Sequence, residues 1–113
     1  MPNPRVSITY CTQCNWLLRA SWYAGELLTT FADEVGEVAL VPATGGVFRV
    51  DARTDDAGAT HALWNRKTDG GFPEITELKR RVRDVVAPDK HLGHADRAAA
   101  AAAEAAVPPP APA

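Results

Sequence analysis

No apolar run in the 113-residue sequence approaches the length of a membrane span. Nor is there a concentrated basic stretch. Twelve Lys and Arg face 14 Asp and Glu, mixed along the chain, for a net charge of −2. A nucleic-acid binder needs a cationic face, and this composition does not supply one. The first ten residues, MPNPRVSITY, lack the charged start and apolar stretch of a signal peptide. We therefore expect a cytoplasmic protein with neither nucleic acid nor membrane as partner. The sequence has no Ser/His/Asp arrangement and no paired-carboxylate signal. The TDGG run from Thr68 to Gly71 is followed by no Lys and Ser/Thr, so it reads as a turn and not a phosphate loop. Cysteine is nearly absent too: the only two are Cys11 and Cys14, inside TYCTQCNWLLRA.

The end of the chain cannot build a core. Ala98 to Ala106 is alanine interrupted only by Glu104, and VPPPAPA follows. We expect residues 1–88 to form one domain, packed from about Arg5 onward. Residues 89–113 then form an Ala/Pro-rich, disordered tail in which the alanines favour transient helix.

Within the domain, Arg5 to Tyr10 alternates, with Val6, Ile8 and Tyr10 on one face of a strand. From about Asn15 to Val35 the period becomes helical. Leu17, Ala20, Ala24, Leu27, Leu28, Phe31 and Val35 share a face, and Gly36 is a natural stop. Glu37 to Pro42 reads as a second strand with Val38 and Leu40 inward, which makes a parallel β-α-β unit. Val47 to Asp51 and Thr60 to Asn65 read as a hairpin around the Arg53–Gly58 turn. Trp64 and Ala62 are assigned to its core side, Leu63 to the opposite side, and His61 to an exposed strand face. Arg66 to Gly71 reads as a loop. A second helix then starts at Phe72-Pro73, with proline in its first turn and Glu74 and Glu77 near its positive end. It buries Ile75, Leu78, Val82, Val85 and Val86 and stops at Pro88. The order β-α-β-β-β-α predicts an α/β fold of two layers, a mixed four-stranded sheet with both helices on one face. The other sheet face carries the polar alternation, open to water or to a second copy in a homodimer.

Cys11-Thr12-Gln13-Cys14 has three readings. A structural disulfide is disfavoured in the cytosol and would close a tiny loop. A zinc site could recruit His91 and His94, but the separation is far larger than in zinc fingers and the histidine spacing is one short. The third reading is a redox pair. With Cys11 after a strand and Cys14 in the first helical turn, the helix N-terminus would favour a thiolate. Attack by one thiolate and release by the other thiol is ordinary exchange chemistry. No cofactor or metal is expected. Trp16 lies two residues past Cys14. Trp22 and Leu18 fall opposite the helix's apolar stripe, which makes Trp16 and Trp22 candidate partner contacts.

YCTQC after the first strand, ATGGVFRV in the middle and WNRKTDGGFPEITELKRRVRDVV at the end resemble the selenoprotein W-like (Rdx) family, its bacterial cysteine-containing members in particular. The resemblance covers about Arg5 to Val86. It implies a thioredoxin-like fold and a thiol- or selenol-based redox site. Many animal members carry selenocysteine at the second position of the pair, where this sequence has Cys14. In the redox reading Cys11, the outer cysteine, is the attacking thiolate and Cys14 the resolving thiol, and the resemblance implies glutathione or a thioredoxin-type protein as the reductant. A thioredoxin-like sheet order makes three segments converge: Thr9 to Cys14, Pro42 to Gly46 and Asn65 to Gly71. From these, Thr12, Gln13, Thr44, Gly45, Gly46, Arg66 and Lys67 are expected to bind substrate, with Arg66 and Lys67 stabilising the thiolate or holding a glutathione carboxylate. The alternative is a non-catalytic module whose protein binding switches with oxidation state.

Overall fold

The computed structural model describes residues 4–54 and 59–93. Part of the Arg53–Gly58 turn and residues 94–113, His94 and most of the Ala/Pro-rich tail, lie outside them. The elements are β1 (Arg5–Cys11), α1 (Leu17–Thr30), β2 (Glu37–Ala43), β3 (Phe48–Arg53), β4 (Thr60–Asn65), a short α2 (Arg66–Asp69) and α3 (Ile75–Val86). The sheet order is β2-β1-β3-β4. β1 runs parallel to β2 and antiparallel to β3, which pairs antiparallel with β4. The architecture is thus the expected α/β fold with a mixed four-stranded sheet.

Val6 and Ile8 from β1, Phe48, Val50 and Ala52 from β3, and Trp64 from β4 form the inner face of the sheet. Ala20, Tyr23, Ala24 and Leu27 of α1 cover it together with Leu78 and Val82 of α3. Strand alternation and helical periodicity meet in this single core, which is why both patterns were readable. The opposite face carries Arg5, Ser7, Thr9, Arg49, Asp51 and Arg53 around a shallow groove. Two of its cations are paired there: Arg49 meets Asp51 at 2.9 Å and Arg5 lies 3.5 Å from Glu37. No helix among the described residues is long and apolar enough to cross a membrane.

Several boundaries differ from expectation, each for a local reason. α1 ends at Thr30 and not near Val35, and Gly36 does not adopt a left-handed φ. Phe31 and Val35 still reach the core from the turn that follows. Leu17 and Leu28, assigned to the buried stripe, are 48% and 45% exposed. Leu40 pairs with Ile8 and shares its face, but β2 is an edge strand and leaves it at the rim. In β4 a bulge changes the parity. Val50 pairs with Trp64 and Asp51 with Ala62, so Leu63 is the extra residue. Leu63 and Trp64 are both buried and Ala62 is exposed, which corrects the assignment of Ala62 to the core side. Pro73 precedes α3 instead of sitting in its first turn; Glu74 is the N-cap and accepts the Glu77 N–H. The packed chain continues past Pro88. Lys90 pairs with Glu34 at 3.0 Å and Leu92 packs against the core.

Candidate functional site

β1 delivers Cys11 at its last position, opposite Ala43 of β2. Its parity follows Ser7 and Thr9, the face away from the helices, yet the residue is only 1% exposed. The chain then turns tightly. The Asn15 N–H donates to the Thr12 carbonyl, and Asn15 sits at φ 59, a left-handed conformation that asparagine tolerates better than most residues. The Thr12 N–H and hydroxyl both donate to the Ala43 carbonyl, at 2.9 and 3.2 Å, and anchor the turn to β2. Cys14 therefore lies in this turn and not in the first turn of α1, which begins at Leu17. The expectation that the helix N-terminus polarises the thiols is corrected accordingly.

The turn brings the two sulfurs to 2.8 Å, with the Cys14 S–H donating to Cys11 Sγ. Both thiols are free; Cys11 is buried and Cys14 partly exposed. The Cys11 thiol is held below the usual thiol range, first by the Cys14 S–H and then by the backbone N–H groups of Gly46, Cys14 and Gln13, against the opposing effect of burial. Cys14 is pushed up by its bond to Cys11, by burial and by the charge of Cys11, while Arg66 and the Gly46 N–H pull it down. The pair thus shares its protons unequally, with Cys11 the more acidic member.

The donors at this site come from loops that other residues hold. Gly45 and Gly46, between β2 and β3, have φ of 83° and 73°, the left-handed region glycine enters freely. This conformation lets the Gly46 N–H serve the sulfurs. Across from them, α2 occupies the segment read as a loop. Four residues carry too little periodicity to announce a helix, but its caps are visible in retrospect. Asn65 accepts the Lys67 N–H at 3.0 Å, the Asp69 carboxylate accepts the Asn65 N–H at 2.8 Å, and Gly70 ends the helix at φ 84. α2 aims Lys67 Nζ at the Gly45 carbonyl, 3.2 Å away, and Arg66 Nη1 at the Gly46 carbonyl at a long 3.5 Å. The three expected segments do converge. Arg66 and Lys67 grip the glycine turn, and Arg66 also acts on Cys14 through its charge.

Trp16 is half-buried: its ring meets Phe72 edge-on at 4.9 Å, with the Arg66 guanidinium 4.9 Å from its centroid. Trp22 is 52% exposed. Thr12, Gln13, Thr44 and Gly45 are exposed. Sequence reading missed Phe72 and Tyr23 as supports. Phe72 carries both Trp16 and the Arg19 guanidinium, and Tyr23 donates its hydroxyl to the Pro73 carbonyl at 2.5 Å. An aromatic beside Gly-Gly was the available signal for the first; nothing local marked the second. Among the described residues no cluster of His, Cys, Asp and Glu could hold a metal ion, and His94 lies outside them.

The family model of the Rdx family matches residues 5–84, the stretch that builds the sheet, the thiol turn and most of α3. This chain belongs to the Rdx family. A crystal structure of a Bordetella parapertussis protein is similar at 60% identity and a TM-score of 0.65, covering 74% of this chain and 98% of that one. The crystal structure of a selenoprotein W-related protein from Vibrio cholerae is 45% identical with a TM-score of 0.67, covering 75% and 99%. No curated protein matches the chain. Rdx membership together with adjacent thiols points to redox-related chemistry.

Proposed function

We propose that this Rdx-family protein carries out thiol–disulfide exchange through Cys11 and Cys14, in the cytoplasm, with glutathione or a thioredoxin-type protein as reductant. The observation that carries the reading is the pair itself: two free thiols 2.8 Å apart with Cys11 held as the more acidic. The Cys11 thiolate attacks one sulfur of an incoming disulfide and releases the other as a thiolate. Cys14 then gives up its proton and attacks Cys11, leaving a Cys11–Cys14 disulfide and two reduced thiols. Two electrons have passed to the substrate, and the reductant returns them. Arg66 and Lys67, cationic at the rim, suit a carboxylate-bearing substrate such as glutathione.

Burial favours a second order of events. Cys11 is 1% exposed whereas Cys14 is partly exposed, so Cys14 is the sulfur an external disulfide meets first. Trapping separates the two. Treated with oxidised glutathione, Cys14→Ser accumulates a mixed disulfide on Cys11 if Cys11 attacks, and Cys11→Ser accumulates one on Cys14 if the order is reversed. Repeated reduction of a disulfide in the presence of reductant supports an enzyme. A single stoichiometric oxidation that changes only partner affinity makes the protein a redox-sensitive binding module instead.

A further inference from the structure

Beside the thiol turn, α1 leaves part of its outer face uncovered. Leu18 is 83% exposed and Trp22 52% exposed. They stand four residues apart and so form one ridge on the helix. The core is filled from α1 by Ala20, Tyr23, Ala24 and Leu27, and neither ridge residue is among its buried members. Two shallow depressions flank Leu18. One is floored by Tyr10 and Leu17, the other by Trp16 and Trp22, and both include Asn15 at the end of the turn that carries Cys14. The one charged residue lining the two depressions is a cation, and two more cations stand beside them. Arg19 lines the second depression, Arg66 lies over Trp16, and Lys67 is exposed on α2. No carboxylate lines either depression. Glu26, the acidic residue of α1, is tied to Lys79 at 3.1 Å.

We infer that this face docks a protein redox partner that presents its disulfide on an acidic segment with apolar side chains next to the cysteine. The inference rests on the exchange reaction proposed above and names its substrate class. Apolar side chains of the partner fill the depressions beside Leu18, its carboxylates face Arg19 and Arg66, and its disulfide comes over Cys14. The partner disulfide gains two electrons and two protons and leaves as two thiols; Cys11 and Cys14 lose the same and close their own disulfide.

The test uses the full chain, reduced, and three disulfides: a cystine peptide flanked by Glu and Leu, the same peptide with Lys for Glu, and glutathione disulfide. The acidic peptide is expected to react about tenfold faster than the basic one, with the advantage shrinking as salt is added. Leu18→Ser and, separately, Trp22→Ser are expected to slow the acidic peptide about tenfold, the scale of losing one interface anchor. Both side chains are exposed, so these variants keep the fold. Leu18→Ser leaves the glutathione disulfide rate unchanged. Equal rates with both peptides, or variants as fast as wild type on the acidic peptide while glutathione disulfide still reacts, overturn the docking site alone. No reaction with any of the three overturns the exchange function and this inference with it. A concentration-dependent dimer that Leu18→Ser abolishes assigns the face to a second copy and overturns the inference as well.

Discussion

Replacing Tyr23 by phenylalanine removes one hydroxyl and leaves the ring in place. Tyr23 is buried, 4% exposed, and its hydroxyl donates to the Pro73 carbonyl at 2.5 Å. The ring contacts with Phe48 and Trp22, at 5.6 and 5.3 Å, are kept. What is lost is the donor to a buried acceptor. Such a loss costs about 1–3 kcal/mol. At about 1.5 kcal/mol, a domain of this size melts ~6–12 °C lower. The bond also has a signature in pH. Burial pushes the Tyr23 phenol up, against the pull of Arg19. The native state therefore keeps its proton where the unfolded phenol loses one, near pH 10 (about the ordinary tyrosine value). This contribution is complete below that pH and is lost as pH rises through the native pKa. The gap in melting temperature between wild type and Tyr23→Phe is thus full at pH 7 and narrows above pH 10. Thermal melts by circular dichroism across that range measure it. A variant melting within about 2 °C of wild type at pH 7, or a gap that does not narrow, refutes the role given to this bond. Thiol alkylation rates are unchanged by the substitution, because the hydroxyl serves Pro73 and not the sulfurs.

Three further outcomes are expected. Since Cys11 is lowered and Cys14 raised, alkylation of Cys14 falls away first as pH drops, and peptide mapping by mass spectrometry checks the order. Gly46→Ala meets no atoms within 4 Å of the new Cβ, so its loss of about 1 kcal/mol comes from the left-handed backbone alone; where the turn relaxes, Cys11 also becomes less acidic in the same alkylation profile. Asn65→Ala removes the cap of α2 at about 1 kcal/mol, loosens Arg66 and Lys67 from the glycine carbonyls, and raises the pH at which Cys14 reacts, which alkylation of the variant against wild type measures.

The strands and the two long helices could be read from the sequence because each rests on a repeating pattern with one buried side, while the sheet order followed from the family resemblance. Val6 and Ile8 alternate, Ala20, Ala24 and Leu27 recur at helical spacing, and both sets face the same core. The failures fell where a single residue breaks the repeat. One extra residue in β4 buried Leu63 and exposed Ala62. A left-handed Asn15 kept Cys14 out of α1. Four residues of α2 were too few to show a period.

The sequence alone determined that two thiols sit three positions apart after a strand. That glycine turns and cations from two distant segments converge on them followed from the sheet order that the family resemblance implies. Only the tertiary structure decided what polarises the sulfurs. The Gly46 N–H and the Cys14 S–H do so in place of a helix end, and Arg66 and Lys67 act largely by holding the glycine turn. Hydrogen-bond direction and burial depend on how loops far apart in the chain lie against each other, and no local pattern encodes that.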